Sequence, residues 1–139
     1  MKGVTIQEMK IGDSASFTKT VTDTDVYLFA GISGDFNPAH VNQVEAEKGM
    51  FGKRIAHGML SAGFISAVLG TTLPGPGTIY MGQELKFTRP VAIGDTITAT
   101  VKVTELIPEK NRAKLETVCT NQNGEVVISG VATVMPPKA

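Results

Sequence analysis

The segment Gly58 to Leu69 constrains this chain more than any other. Met59, Leu60, Ala62, Phe64, Ile65, Ala67, Val68 and Leu69 leave a helix of that length almost no polar face. A helix apolar all round has to be enclosed, because its turns would otherwise expose hydrocarbon to water. Pro74, Gly75, Pro76 and Gly77 then terminate it. The enclosing surface must come from the rest of the chain, and the second half supplies it. From Thr78 onward the pattern changes to period two, and Ile79 to Thr88, Asp95 to Leu106, Ala113 to Thr120 and Glu125 to Met135 read as strands rich in Val, Ile and Thr. Asn123-Gly124 predicts a hairpin between the last two, since both residues accept positive φ. Ile93-Gly94-Asp95, preceded by Pro90, predicts a second turn.

The first half is helical. Asp13 to Thr20 alternates small polar and apolar residues and reads as a first strand. Thr22 opens a capping-box-like start with Asp25 three residues on, where Glu or Gln is usual. Val26, Phe29 and Ala30 follow at helical spacing, with Gly31 and Gly34 as stopping points. Asn42 to Lys48 predicts a short second helix ended by Gly49. Helices followed by strands indicate an α+β fold. One buried central helix, and a curved antiparallel sheet long enough to wrap it, predict a single hot-dog domain over residues 1–139.

Composition excludes more than it selects. Lys+Arg and Asp+Glu are equal at 13, so the formal net charge is zero. That balance gives no reason to expect nucleic acid or an anionic membrane as partner. No stretch reaches the roughly 18 continuous apolar residues of a membrane span. Met1 to Lys10 lacks the apolar core of a signal peptide. The single Cys119 has no disulfide partner and lies in an alternating segment, which predicts a buried structural thiol in a reducing, cytoplasmic setting.

The chain's two histidines both fall between the first helix and the buried one. His40 ends the segment Gly34-Asp35-Phe36-Asn37-Pro38-Ala39-His40. Pro38 fixes its own φ and restricts Asn37 to extended backbone, so the segment cannot simply continue as helix. A rigid turn of this kind can hold Asp35 and His40 facing one another. A carboxylate near an imidazole raises its basicity and sets its orientation, which suits acid–base work near neutral pH. The same composition also makes ordinary turns, in which an Asp only caps local backbone.

His57-Gly58 opens the buried helix, where N–H groups are unpaired and the macrodipole is positive. Gly58 allows close approach of a carbonyl oxygen, and such a donor stabilises a developing oxyanion. Equally, Gly58 can serve only to relieve crowding between helix and sheet. His57 reads as a structural residue orienting this turn. A metal site from Asp35, His40 and His57 lacks any further Cys or His nearby, so no metal is expected. Ser66 is one of the few polar groups on the helix. Bonding to the carbonyl four residues back and contact with a substrate are both open to it.

Taken together, these pieces resemble a known family. GDFNPAH at Gly34 to His40 looks like the hydratase-2 motif of MaoC-like (R)-specific enoyl-CoA hydratases. His57-Gly58-Met59-Leu60, Leu73-Pro74-Gly75, Ile79-Tyr80-Met81-Gly82-Gln83, Phe87 with Pro90, and Val91 to Thr100 match in the same order. The similarity spans roughly Ile11 to Val134. It implies a hot-dog subunit that forms a homodimer, taking an acyl-CoA thioester into a tunnel. It further implies Asp35 and His40 as the catalytic pair activating water, and Gly58 as the N–H donor to the thioester carbonyl. Ser66 would line the active site and Asn37 would support the motif loop. No cofactor is implied, coenzyme A being part of the substrate. Three rivals stand beside this reading: the same dehydration chemistry on an acyl carrier protein, a hot-dog thioesterase, and a non-catalytic acyl-CoA-binding module.

Overall fold

The computed structural model of the protein describes residues 2–139. Five strands, β1 (Ser14–Thr20), β2 (Ile79–Phe87), β3 (Thr96–Ile107), β4 (Arg112–Thr120) and β5 (Val126–Met135), form one antiparallel sheet in the order β1-β3-β4-β5-β2. The helices are α1 (Asp23–Ser33), α2 (Pro38–Val41), α3 (Gln43–Glu47) and α4 (Gly58–Thr71), with α4 laid against β1, β2, β3 and β4. No helix among the described residues is long and apolar enough to cross a membrane.

Period two in the sequence becomes two faces of the sheet. On β3, Ile97, Ala99, Val101 and Val103 are buried, and Thr96, Thr98, Thr100 and Lys102 alternate with them on the opposite face. β4 does the same with Ala113, Leu115, Thr117 and Cys119. Apart from Thr117, these buried residues meet Leu60, Ile65, Val68 and Leu69 of α4 in one core. Each such aliphatic side chain contributes about 1.5–3 kcal/mol by leaving water. Hydroxyl pairs Thr18–Thr98 (2.8 Å) and Thr20–Thr96 (2.7 Å) link β1 to β3. The Cys119 thiol is buried and its pKa is pushed up to about 12 by that burial, so it is an inert core group, as expected.

Several boundaries differ from the sequence reading, each for a physical reason. The capping box at Thr22 forms in full: Thr22 Oγ1 accepts from the Asp25 N–H, and Asp25 Oδ2 accepts from the Thr22 N–H. α1 then runs through Gly31 and stops only at Gly34, which adopts φ 82°. The β4–β5 connection is not a tight turn with two residues at positive φ. Gly124 alone has positive φ (76°), and Asn121 organises the loop by accepting the N–H groups of Asn123 and Glu125 through Oδ1. α4 is also not enclosed on every side. Met59, Gly63, Ser66 and Gly70 are exposed and form one stripe along it.

Candidate active site

Asp35, Asn37 and His40 lie between α1 and α3, held by short-range bonds in series. Ser33 Oγ accepts the Asp35 N–H (3.1 Å), Asp35 Oδ1 accepts the Asn37 N–H (3.1 Å), and Asn37 Oδ1 accepts the Ala39 N–H (3.0 Å). The last of these caps α2, whose first residue is Pro38. The segment does not continue α1, and Asn37 is held out of helix at ψ 129°, as expected; what the sequence reading did not include is that Pro38 itself opens the short helix α2. Proline is well tolerated at the first helical position, where its missing N–H would have no partner anyway. His40 thus stands on a single rigid helical turn. Asp35 does cap local backbone, but through one carboxylate oxygen, leaving the other available.

Both imidazoles are enclosed, His40 at 9% and His57 at 2% exposure, whereas Asp35 is open to solvent. His40 Nδ1 lies 2.7 Å from the Ile55 carbonyl oxygen. A carbonyl can only accept, so Nδ1 carries the proton and Nε2 keeps its lone pair. His57 Nε2 donates in the same way to the Asp35 carbonyl oxygen (2.9 Å). The two rings stack with centroids 3.9 Å apart and 28° between planes, and Phe29 packs on the far ring at 4.8 Å. His57 is accordingly an anchor for the Asp35 main chain and a platform for His40. One carboxylate oxygen of Asp35 and one nitrogen from each ring lie within 4.8 Å of one another. In each ring one nitrogen donates to a carbonyl, as in a histidine that ligates a metal through its other nitrogen, but the two rings stack in near-parallel planes, which points their remaining lone pairs along similar directions and not toward one centre.

Gly58 begins α4, with His57 as an N-cap that makes no side-chain capping bond. Its surroundings show why a side chain is disfavoured: a Cβ there would lie 2.6 Å and 2.7 Å from the Phe87 ring carbons Cδ1 and Cε1, so the ring would have to move. The crowding reading of Gly58 thus holds, and it coexists with an N–H at the positive end of a helix of 14 residues. His40 and Gly58 line the same cavity, of about 570 Å³, whose other walls are mainly apolar: Phe51, Ile55, Ala56, Met59, Phe87, Val91, Val127 and Ile128, with Arg89 also on its wall. Asp35, Asn37 and His57 do not line that cavity, but one carboxylate oxygen of Asp35 lies within 4.8 Å of a nitrogen of His40, which does. Ser66 is apart from all of them, on the exposed stripe of α4 and without a bond to the carbonyl four residues back. Sequence reasoning missed Ile55, whose carbonyl sets the His40 tautomer, and Ser61, a fully buried polar residue one turn into α4. Ile55 carried no signal, because a bond across 15 positions leaves no trace in local pattern.

A five-stranded antiparallel sheet against one long helix, with an acid–imidazole pair at the mouth of that helix, defines a hot-dog protein. The solved structure of R-hydratase PhaJ1 from Pseudomonas aeruginosa superposes with a TM-score of 0.94 at 44% identity, covering 99% of this chain and 88% of that one. The family model described as MaoC like domain matches residues 7–126. A curated (R)-specific enoyl-CoA hydratase from Rhodospirillum rubrum is 62% identical over 94% of this chain and 90% of its own length. A 3-hydroxybutyryl-CoA dehydratase from Methylorubrum extorquens is 47% identical over 95% and 83%. The chain belongs to the MaoC-like family.

Proposed function

We infer that the protein is an (R)-specific enoyl-CoA hydratase, adding water across trans-2-enoyl-CoA to give (R)-3-hydroxyacyl-CoA. One observation carries this: His40 and Gly58, the first residue of α4, line a single, mainly apolar cavity, with one carboxylate oxygen of Asp35 within 4.8 Å of a nitrogen of each imidazole. The thioester carbonyl accepts a hydrogen bond from the Gly58 N–H, which draws electron density from the β-carbon. Asp35 and His40 hold a water between them, and the pair takes one proton as the oxygen attacks that carbon. The pair then returns one proton to the α-carbon of the enolate, so the enzyme ends in its starting state. Side chains and water suffice for these steps, without a metal or further cofactor. Asn37 keeps the loop shape and His57 holds it from behind.

The proposed partner is a second copy of the chain. β2 is an edge strand, and Ile79, Tyr80 and Met81 on it are exposed, as is the small-residue stripe of α4. An uncovered apolar edge invites pairing with another strand. Ser66 faces that open stripe, so its contact with substrate depends on the second copy completing the wall. Sedimentation of the pure protein should give twice the 14.7 kDa chain mass. The activity is tested by following loss of the enoyl absorbance of crotonyl-CoA and resolving the product's enantiomers. An (S)-product, or release of free thiol instead of hydration, would refute the assignment. Crotonyl thioesters of coenzyme A and of acyl carrier protein, compared side by side, identify the carrier.

A further inference from the structure

Three buried side-chain polar atoms have no hydrogen-bond partner among the described residues: His57 Nδ1, Ser61 Oγ and Thr78 Oγ1. Buried polar atoms are rarely left unpaired, because each has given up water for nothing. The first two share one neighbourhood. His57 caps α4, and Ser61 follows one helical turn later at 0% exposure. They are also chemically complementary. His57 Nε2 spends its proton on the Asp35 carbonyl, so Nδ1 can only accept. A serine hydroxyl can donate.

We propose that Ser61 is a positioning residue: its hydroxyl donates to His57 Nδ1, across one buried water or on a small turn of the side chain, and so holds the Asp35–His40 pair in place. The bond matters through the tautomer. With Nδ1 accepting, the imidazole proton stays on Nε2, where it secures the main chain of Asp35. If the proton moved to Nδ1, a lone pair would face the Asp35 carbonyl oxygen and the anchor would be lost. The His57 ring also stacks on His40 at 3.9 Å, so a turned ring would disturb the second member of the pair. Ser61 itself is fixed from the sheet side, where its carbonyl accepts the Cys119 thiol at 3.7 Å. The competing arrangement sends the Ser61 hydroxyl to the His57 carbonyl, four residues back, which already accepts the Leu60 N–H at 3.1 Å. That arrangement leaves the His57 tautomer untouched, and the two are therefore separable.

The inference rests on the reading of Asp35 and His40 as the reacting pair, but its test has a readout of its own. The chain holds two histidines, so ¹⁵N-histidine NMR shows two ring systems. In the wild type, His57 should be the Nε2–H tautomer, with Nδ1 displaced toward the shift of a hydrogen-bonded acceptor. In Ser61→Ala, that Nδ1 signal should move to the position of a bare lone pair and Nδ1–H tautomer should appear. Crotonyl-CoA turnover should fall about fivefold in kcat, the rate equivalent of one ordinary hydrogen bond, with KM unchanged. An unaltered His57 spectrum in Ser61→Ala overturns the proposal. A changed spectrum with full kcat keeps the contact but overturns the positioning role. If Ser61→Ala does not fold, the wild-type shift decides, since a bare-lone-pair Nδ1 there is equally fatal. A wild type without hydratase activity would sink the proposed function, while the spectra would still settle the Ser61–His57 contact.

Discussion

The segment from Ser33 to His40 and the inner face of β3 and β4 are held by opposite means. The first is mostly exposed and is fixed by side chains bonding to main chain two residues away, from Ser33 to Asp35 to Asn37 to Ala39. The second is wholly buried and is fixed by aliphatic packing against α4. Stability and chemistry therefore sit on different residues. A polar segment that contributes little burial can keep Asp35 open to water, while the sheet supplies the rigidity that makes the cavity wall permanent.

The comparison predicts a clean division of effects, and the largest should appear in rate. Asp35→Asn keeps an oxygen to accept the Asn37 N–H but removes the charge. Its hydration of crotonyl-CoA should drop by about 10²–10⁴-fold, with the unfolding temperature nearly unchanged. His40→Ala should lose as much rate. Near-wild-type turnover in either variant would end the assignment of this pair. Leu115→Ala on β4 should do the reverse. It removes a fully buried side chain and should cost about 2–5 kcal/mol in denaturant unfolding, yet keep its rate per folded molecule.

Gly58 stands on the border between the two regions and sharpens the contrast. Gly58→Ala places a methyl group against the Phe87 ring, so we expect about 1–3 kcal/mol of overpacking together with roughly a tenfold loss of rate. Adding Phe87→Ala removes the clash and should restore stability. If the methyl also bars the thioester carbonyl from the N–H, the rate stays low in the double variant. Full recovery of rate would mean that Gly58 serves packing alone.

The same contrast explains what the sequence made legible. Strands were readable because burial on one face writes a period of two, and β3 and β4 follow it with ends displaced by at most one residue. The start of α1 was readable because Thr22 and Asp25 are near neighbours whose bonds are local. α2 was not, since four residues carry no periodicity and Pro38 reads as a breaker until its place at the helix start is known. The open stripe of α4 was hidden because Gly63 and Gly70 look neither polar nor apolar. Asp35 and His40 could be paired through the motif they share. The contacts that support them could not: Ile55 gave no sign, and His57, though read as structural, reaches its partner, the Asp35 carbonyl, across 22 positions, as Ile55 meets His40 across 15. Ser61 becomes visible only when every buried polar atom is asked for its partner.

The smallest effect tests whether the start of α1 belongs to the stability side of this division. Burial raises the pKa of the Asp25 carboxyl, but the bonds from the Lys19 ammonium and from Thr22 outweigh it, and the net shift is downward. A carboxyl whose pKa is lower folded than unfolded adds stability above the ordinary value near 3.9, and loses it as pH falls through the folded value. Asp25→Asn keeps an oxygen for the Thr22 N–H but loses the charge that Lys19 faces, so it should unfold more easily than wild type at pH 7 by up to about 1 kcal/mol, the worth of a partly exposed ion pair. The gap in unfolding temperature should close as the pH is lowered below the folded pKa of Asp25. Turnover should not change, because Asp25 lies a full helix away from Asp35. A rate loss in Asp25→Asn approaching that of Asp35→Asn would show that the acid–imidazole segment draws its rigidity from the far end of α1. The separation between a locally pinned site and a packed frame would then fail.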